Sequence, residues 1–209
     1  MLIGSLFGKL IEDVHGSYRD AMLSNDGEMS AVRLAVHHRN LRADEREQLS
    51  DDDIVIVSRL FDMYRSRDGG PYVGTPEYEF KVYLPDRSAV PYPIKGYMDL
   101  RVEGEPVIKE FKTGKWATHH AWGYTQQRVD SMAQCTLYWY ADKVLNCRDS
   151  RIDVVALSYS DRGISMIEKS TRPNMERLEE VQAEAAKLCA AIDAEDFPCI
   201  CGKCRAEAA

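Results

Sequence analysis

The spacing of hydrophobic residues predicts four amphipathic helices. In residues 5–22 an apolar side chain recurs at every fourth position, and similar three- and four-residue spacings occur in 54–64, 125–144 and 173–192. Ser50 and the three aspartates after it precede the second of these stretches, where a serine can cap the first N–H groups and acidic residues favour the positive end of the helix dipole. We therefore expect a helix to begin directly after Ser50.

Shorter stretches of alternating or β-branched residues predict strands. Three of them cover residues 77–84, 152–159 and 164–169, and two more lie on either side of a turn at 103–106. Residues 24–49 are expected to form a loop followed by a polar helix. Strands and helices in this order predict an α/β fold, in which a central mixed β-sheet with a β-hairpin is flanked by helices.

The hairpin around 103–106 carries the most informative polar residues. A symmetric turn centred on this segment places Asp99 opposite Glu110, and directly opposed residues have Cβ atoms about 4.5–5.5 Å apart. Because side chains alternate along a strand, Glu110 and Lys112 point to one face while Phe111 points to the other, towards the core. The hairpin thus offers two carboxylates and an amine together.

Two opposed carboxylates repel each other, so one of them would be driven to protonate unless a cation lies between them. A hard divalent ion removes this repulsion and prefers oxygen ligands. Lys112 can then orient a water or help to deprotonate it. The simpler interpretation is an ordinary surface hairpin, where most charged residues are found.

Three segments in a fixed order favour the metal site over an ordinary surface hairpin. They are Gly96-Tyr97-Met98-Asp99, then Glu110-Phe111-Lys112-Thr113-Gly114-Lys115, then a helix with Gln134 and Tyr138. This order resembles the PD-(D/E)XK nuclease superfamily, specifically its RecB-like exonuclease branch, which is related to CRISPR-adaptation and phage exonucleases. The resemblance spans roughly residues 4–204 and implies a restriction-endonuclease-like core with a catalytic hairpin.

The resemblance also implies roles for individual residues. Asp99, Glu110 and the backbone carbonyl of Phe111 would bind Mg²⁺ or Mn²⁺, and Lys112 would position the attacking water. The products would be a 5′-phosphate and a 3′-hydroxyl. Residues expected to support the site or to contact DNA are Gln134, Tyr138, Lys115 and Arg128.

The first helix offers a further metal ligand. The RecB-like branch usually has a G-x-x-x-H segment here, whereas this chain has Gly8 followed four positions later by Glu12. Other members of the superfamily use a glutamate on this helix, so Glu12 is the expected ligand and His15 is the alternative. An acidic residue on the strand before the hairpin is also frequent in the family, and Glu77 and Glu79 are the candidates.

Composition and charge narrow the functional classes. The chain has 209 residues, is 44% hydrophobic and carries a formal net charge of −7. This size suits a single nuclease domain over 1–209 with a cysteine-containing tail at 197–209. The net charge argues against nucleic-acid binding by bulk charge, but a local group of basic residues follows the hairpin. Its members are Lys112, Lys115, His119, His120 and Arg128.

No signal peptide and no apolar run of about 18 residues occur in the sequence. We therefore expect no membrane association and a cytoplasmic location in a bacterial or phage-infected cell. Residues 116–124 mix aromatic and basic side chains. Such a loop is either a stacking platform for single strands or a segment that packs its tryptophans on the domain.

The tail contains the second informative motif. Cys199, Cys201 and Cys204 lie within six positions, which is close enough for zinc or an iron–sulfur cluster. Many RecB-like nucleases hold a four-iron, four-sulfur cluster with one cysteine before the first helix and three at the end. Here no cysteine precedes Cys135, so a fourth ligand would be Cys189, Cys147 or an external group. Free thiols are the alternative.

These observations predict a metal-dependent deoxyribonuclease, expected to be an exonuclease. Its setting would be DNA repair, recombination, phage replication or CRISPR-type DNA processing, with single- or double-stranded DNA as partner and a protein partner or homo-oligomer in addition. The alternative is a catalytically inactive nuclease-fold module for DNA binding or assembly. A small metal-binding regulator built around the tail would leave most of the chain unexplained.

Overall fold

A five-stranded mixed sheet forms the centre of the protein. The computed structural model describes residues 2–24, 27–67, 71–115, 124–160 and 163–194. The strand order follows the chain, and every neighbouring pair is antiparallel except the third with the fourth, which is parallel. The strands are β1 (Gly74–Val82), β2 (Ile94–Val102), β3 (Val107–Lys115), β4 (Arg151–Ser160) and β5 (Gly163–Thr171).

Helices cover both faces of this sheet, so the predicted α/β fold is confirmed. A parallel strand pair requires a crossover, and two helices after β3 provide it. The helices are α1 (Leu2–His15), α2 (Arg19–Met22), α3 (Glu28–Asn40), α4 (Ala43–Arg46), α5 (Asp51–Arg65), α6 (Gln126–Asp130), α7 (Ala133–Asn146) and α8 (Met175–Asp193).

Each face of the sheet has its own hydrophobic core. On one face, α7 and α8 pack on the strands, and the buried residues include Phe80, Met98, Ile108, Tyr138 and Trp139. On the other face, α1 and α5 pack on β3 and β4, with buried residues that include Leu6, Leu10, Leu60, Phe61 and Val155. The hairpin formed by β2 and β3 is therefore held between two helical layers.

The predicted start of α5 is confirmed. Ser50 is the N-cap, its side chain accepts a hydrogen bond from the Asp53 backbone N–H, and the Asp53 carboxylate accepts one from the Ser50 backbone N–H at 2.8 Å. This reciprocal capping box satisfies two donors that the helix itself leaves unpaired.

Two of the predicted helices are each interrupted. The stretch 5–22 divides into α1 and α2 because a turn follows His15 at Gly16, a residue that favours the ends of helices. The stretch 125–144 divides into α6 and α7. The Ser131 hydroxyl donates to the Arg128 carbonyl at 2.9 Å, which competes with the helical hydrogen bonds and ends α6.

The second interruption determines which polar residues of this stretch reach the hairpin. In one continuous helix over 125–144, the spacing of Gln127, Asp130, Gln134 and Tyr138 would place all four on one stripe. Gln127 and Asp130 lie instead on α6 and are exposed, whereas Gln134 and Tyr138 lie on α7. Only the α7 pair keeps the helical spacing that brings both side chains to the hairpin.

The strand predictions need smaller corrections. The first predicted strand, 77–84, runs from Gly74 to Val82, and the last two strands each extend one or two residues beyond 152–159 and 164–169. The final helix begins two residues later than predicted, because the Asn174 side chain caps it by accepting a hydrogen bond from the Arg177 backbone N–H. Among the described helices, none is long and apolar enough to cross a membrane.

Candidate active site

The site lies where β2 and β3 part. The ladder between these strands comprises the pairs Leu100–Lys109 and Arg101–Ile108, which confirms the predicted register. One step further along, Oδ2 of Asp99 accepts a hydrogen bond from the Phe111 backbone N–H at 2.7 Å. A side-chain carboxylate thus takes the place of a backbone carbonyl at the opening between the strands.

Glu110 lies beside Asp99 and is almost completely buried, with 1% of its surface exposed. Its Oε1 accepts a hydrogen bond from Lys112 Nζ. Its Oε2 is buried and has no hydrogen-bond partner among the described residues. Burial, together with the charge of Glu110, raises the pKa of Asp99 to about 7. Two carboxylates therefore share a poorly solvated space, which disfavours ionising both.

Lys112 is the cation of this group. Although burial opposes it, the charges of Glu110 and Asp99 raise the pKa of the Lys112 ammonium. Lys112 is consequently protonated at neutral pH in this structure, and its ammonium acts as a hydrogen-bond donor. Phe111, as predicted, packs on the opposite face, where its ring lies 5.3 Å from that of Tyr64.

Residues of α7 fix the position of Lys112. Lys112 Nζ donates to Gln134 Oε1 at 3.0 Å, and Gln134 Nε2 donates to the Tyr138 hydroxyl at 2.6 Å. Tyr138 in turn donates to the backbone carbonyl of Tyr97 at 2.6 Å. This chain of hydrogen bonds joins α7 to both strands of the hairpin. Gln134 and Tyr138 are thus engaged in supporting the site in this structure.

On the side of α1, a pocket of about 190 Å³ opens next to Asp99. Glu12 lines it, with both carboxylate oxygens accepting from Lys9 Nζ at 2.7 and 2.8 Å. A Cβ on Gly4 would lie 2.6 Å from Thr113 Oγ1, so a glycine at this position allows α1 to approach β3 closely. The remaining lining residues are Phe7, Gly8, Ile11, Glu77, Phe111 and Thr113.

His15, the alternative to Glu12, does not line this pocket. It is buried in the core, and its Nε2 lies 2.8 Å from the Tyr64 hydroxyl. Burial, reinforced by the nearby charge of Arg19, lowers the pKa of His15 to about 4. The histidine is therefore neutral in the folded protein at neutral pH, and of the two candidates Glu12 is the one that faces Asp99.

The low pKa of His15 predicts a pH-dependent stability. The pKa of this histidine is 6.5 in the unfolded chain and about 4 in the folded protein. Between these two pH values the unfolded chain binds a proton that the folded chain does not, so acidification destabilises the fold. From about pH 7.5 to about pH 5, the wild type should lose about 2 kcal/mol more unfolding free energy than His15→Gln. Urea denaturation at each pH measures this difference. Equal pH dependence in the wild type and in His15→Gln would contradict the prediction.

Glu77 is a site residue that strand periodicity did not predict, although the family resemblance raised it together with Glu79. It lies between the pairs Pro76–Leu100 and Tyr78–Met98, which places it across from Asp99. Its φ is +48°, a strained conformation for a residue with a side chain. Partial burial and the charges of Asp99 and Glu12 raise the pKa of the Glu77 carboxyl. Glu79 instead forms an ion pair with Lys95 on the exposed face.

The carboxylates of the site fit a divalent cation in part. In the described ranges, no three His, Cys, Asp or Glu side chains converge closely enough to form a metal-binding group as they stand. Nevertheless, the partly buried Asp99 and the buried Glu110 are neighbours of like charge, and Glu110 Oε2 has no hydrogen-bond partner within the described ranges. Both features are ones that an oxygen-preferring cation would satisfy. Glu12 would complete the set if it exchanged Lys9 for the ion.

A second, basic pocket of about 150 Å³ lies at the end of β3. Lys112, Lys115 and Arg128 line it, together with Tyr124, and the Arg128 guanidinium lies 4.6 Å from the centre of the Tyr124 ring. The structure therefore brings the predicted residues Lys115 and Arg128 to the same pocket as Lys112. Positive side chains at this place suit a phosphate group.

Several predicted residues lie outside the described part of the chain. They are His119 and His120, with residues 116–123 around them, and the cysteines at 199, 201 and 204. Cys189 is described and is buried in the core between α8 and the sheet. Cys147 is exposed at the end of α7. The bound cluster or zinc ion at the tail remains a prediction.

No protein-family model matches the chain, and no curated protein matches it. Among solved structures, it is similar to a candidate exonuclease from Eubacterium rectale, with 13% identity and a TM-score of 0.48 over 93% of this chain and 73% of the other. It is also similar to the protein SSO0001, with 13% identity and a TM-score of 0.37 over 90% and 87% of the two chains.

Proposed function

We propose that this protein is a divalent-metal-dependent deoxyribonuclease of the PD-(D/E)XK type, acting as an exonuclease of the RecB-like kind. The observation that supports this most is the acidic pair of Asp99, which is partly buried, and Glu110, which is buried, beside the protonated Lys112. Among the described residues, Glu110 Oε2 has no hydrogen-bond partner. Such a pair destabilises the folded protein, because like charges in a poorly solvated space repel each other. Its presence therefore favours a functional role.

Asp99, Glu110 and the backbone carbonyl of Phe111 would hold Mg²⁺ or Mn²⁺, and Glu12 would complete the shell. When bound, this ion would polarise the phosphodiester and lower the pKa of a coordinated water. Lys112 is held between Glu110 and Gln134, so its remaining proton can be donated towards the phosphate or the attacking water. Lys115 and Arg128 would neutralise a neighbouring phosphate of the same strand.

The α7 residues have a positioning function in this proposal. Tyr138 donates to Tyr97 and accepts from the Gln134 amide, which leaves the amide oxygen of Gln134 directed at Lys112. The ammonium is therefore fixed before DNA binds, and such preorganisation lowers the cost of orienting it during the reaction.

Cleavage of end-labelled DNA tests the proposal. Wild-type protein should degrade single- or double-stranded DNA with Mg²⁺ or Mn²⁺ and leave it intact with EDTA, and Lys112→Ala should be at least about 10²-fold slower. Lys143→Ala, an exposed lysine on the outer side of α7, is the matched control and should cleave at the wild-type rate. Binding of DNA without cleavage under any metal would favour the inactive binding module instead.

A further inference from the structure

The outer face of the β1–β2 pair carries four charged or aromatic residues that remain exposed among the helices of the described ranges. We call this surface the β1–β2 platform and define it by Glu79, Lys81, Lys95 and Tyr97. The register pairs Glu79 with Tyr97 and Lys81 with Lys95, so the four side chains share one face of the sheet. All four residues are exposed, and Tyr97 has 45% of its surface accessible.

The alternate residues of the same strands face inwards. Phe80, Val82 and Met98 are buried in the core under α7 and α8. These buried side chains fix the position of both strands. The backbone of the platform is therefore rigid. A tyrosine exposed on such a support loses little conformational freedom when a planar ligand stacks on it.

The charge of the platform is positive, in contrast to the net charge of −7 of the whole chain. Lys81 lies directly opposite Lys95, and like charges in this position destabilise a sheet. Lys95 is paired with Glu79 at 2.7 Å, and its Nζ lies 5.6 Å from the centre of the Tyr97 ring. Lys81 makes no ion pair with any residue in the described ranges. At the edge of the platform, Arg87 lies 4.3 Å from the centre of the exposed Tyr83 ring. An anion bound between the lysines would relieve their repulsion.

The platform is continuous with the active site. Tyr97 precedes Asp99 by two residues on β2, a rise of about 7 Å along the strand. The carbonyl of Tyr97 is also the acceptor for Tyr138, so the backbone of the platform is part of the framework that holds Lys112. The basic pocket with Lys115 and Arg128 lies across the opening between β2 and β3, at the same end of the sheet.

We infer that the β1–β2 platform binds single-stranded DNA next to the cleavage site, with a base stacked on Tyr97 and backbone phosphates at Lys81 and Lys95. This inference rests on the proposed function, because it assigns the path of the strand that the site would cut. An unpaired strand is required because stacking on a side chain needs a free base face, and each stacked base contributes about 1–3 kcal/mol. Charge complementarity with phosphate accounts for the exposed lysines.

Binding can be measured separately from cleavage. Fluorescence anisotropy of a labelled oligothymidylate in EDTA reports the affinity for single-stranded DNA. Hydrolysis of thymidine 5′-(p-nitrophenyl phosphate) with Mn²⁺ reports the activity of the cleavage site, because this substrate is too short to reach the platform. Tyr97→Ala should raise the Kd for the oligonucleotide about 5- to 100-fold, and Tyr97→Phe should restore most of the affinity. Lys81→Glu should weaken binding and reduce its dependence on salt concentration.

Matched controls come from surfaces on the other side of the molecule. Tyr92 is also exposed, at 51%, but its hydroxyl is bonded to Asp193 at the end of α8, so Tyr92→Ala should bind as the wild type does. Lys187 is exposed on α8, and Lys187→Glu should likewise leave the Kd unchanged.

The outcomes distinguish the two proposals. Unchanged oligonucleotide affinity in Tyr97→Ala and Lys81→Glu, or no binding by the wild type, would overturn the platform. Equal losses of affinity for a blunt duplex would also overturn it, since the platform would then recognise the backbone of a double strand. If the wild type hydrolyses neither DNA nor the small diester while Tyr97→Ala still weakens binding, the nuclease proposal fails and the binding surface stands.

Discussion

Replacing Glu110 by glutamine should lower metal-dependent DNA cleavage by about 10³-fold while leaving the fold intact. The amide has the same shape as the carboxylate and keeps an oxygen that can accept from Lys112, so packing in the buried site is preserved. It removes the negative charge that a divalent ion needs. It also places a donor at the position of Oε2, which accepts no hydrogen bond from the described part of the chain. Time courses on end-labelled DNA with Mn²⁺ measure the effect.

The same substitution has a second readout that does not depend on cleavage. Because the charge of Glu110 contributes to the raised pKa of Asp99, the pKa of Asp99 in the metal-free protein should fall from about 7 in Glu110→Gln. Carboxyl-carbon NMR titration can follow it. Glu105→Gln, in the exposed turn of the hairpin, is the matched control and should change neither property. If Glu110→Gln cleaved DNA at the wild-type rate, Glu110 would not be part of the catalytic site.

The largest expected loss of stability is at Asp153, on the side of the sheet away from Lys112. Its carboxylate is fully buried and accepts from Lys109 Nζ at 2.6 Å and from two guanidinium nitrogens of Arg151 at 2.7 and 2.9 Å. Against the effect of burial, Arg151 and Lys109 hold the pKa of Asp153 at about 2. Asp153→Ala would leave the buried ammonium of Lys109 with the Glu168 carboxylate and the Tyr72 ring, at a cost of about 3–5 kcal/mol.

Urea unfolding at neutral pH measures this cost. Asp20→Ala, an exposed aspartate on α2, should change the unfolding free energy by no more than about 0.5 kcal/mol. Combining Asp153→Leu with Lys109→Met should recover much of the loss, since a buried ion pair can often be replaced by apolar side chains of similar volume. A loss below about 1 kcal/mol for Asp153→Ala would show that water reaches Lys109 in place of the carboxylate.

Local sequence features account for the parts of the fold that were predicted correctly. Ser50 and Asp53 form a capping box within four residues, and this motif depends on nothing distant in the chain. The register of β2 with β3 follows from a short turn, because the length of a hairpin loop determines which residues oppose each other. Asp99, Glu110 and Lys112 were brought together by that register alone.

Features that depend on distant contacts were not predictable in the same way. At the interruption, the Ser131 carbonyl accepts a hydrogen bond from Arg177 on α8, which lies 46 residues away in the chain, so local helix propensity alone does not reveal the break. His15 and Glu12 are less than a turn apart, and only the packing of Tyr64 from α5 shows that His15 belongs to the core. Lys109 is buried because β4 and β5 supply Asp153 and Glu168, more than forty residues later.

The hydrogen bond from the Phe111 backbone to Asp99 limits how the sequence can diverge at position 99. This carboxylate is a member of the acidic pair and also the acceptor that closes the edge of the β2–β3 ladder. A neutral residue without an acceptor would leave a buried amide unpaired, even in a descendant that no longer needed catalysis. An aspartate at this position can therefore outlast the activity, and its presence in a related chain would not by itself distinguish an enzyme from a protein that has lost its chemistry.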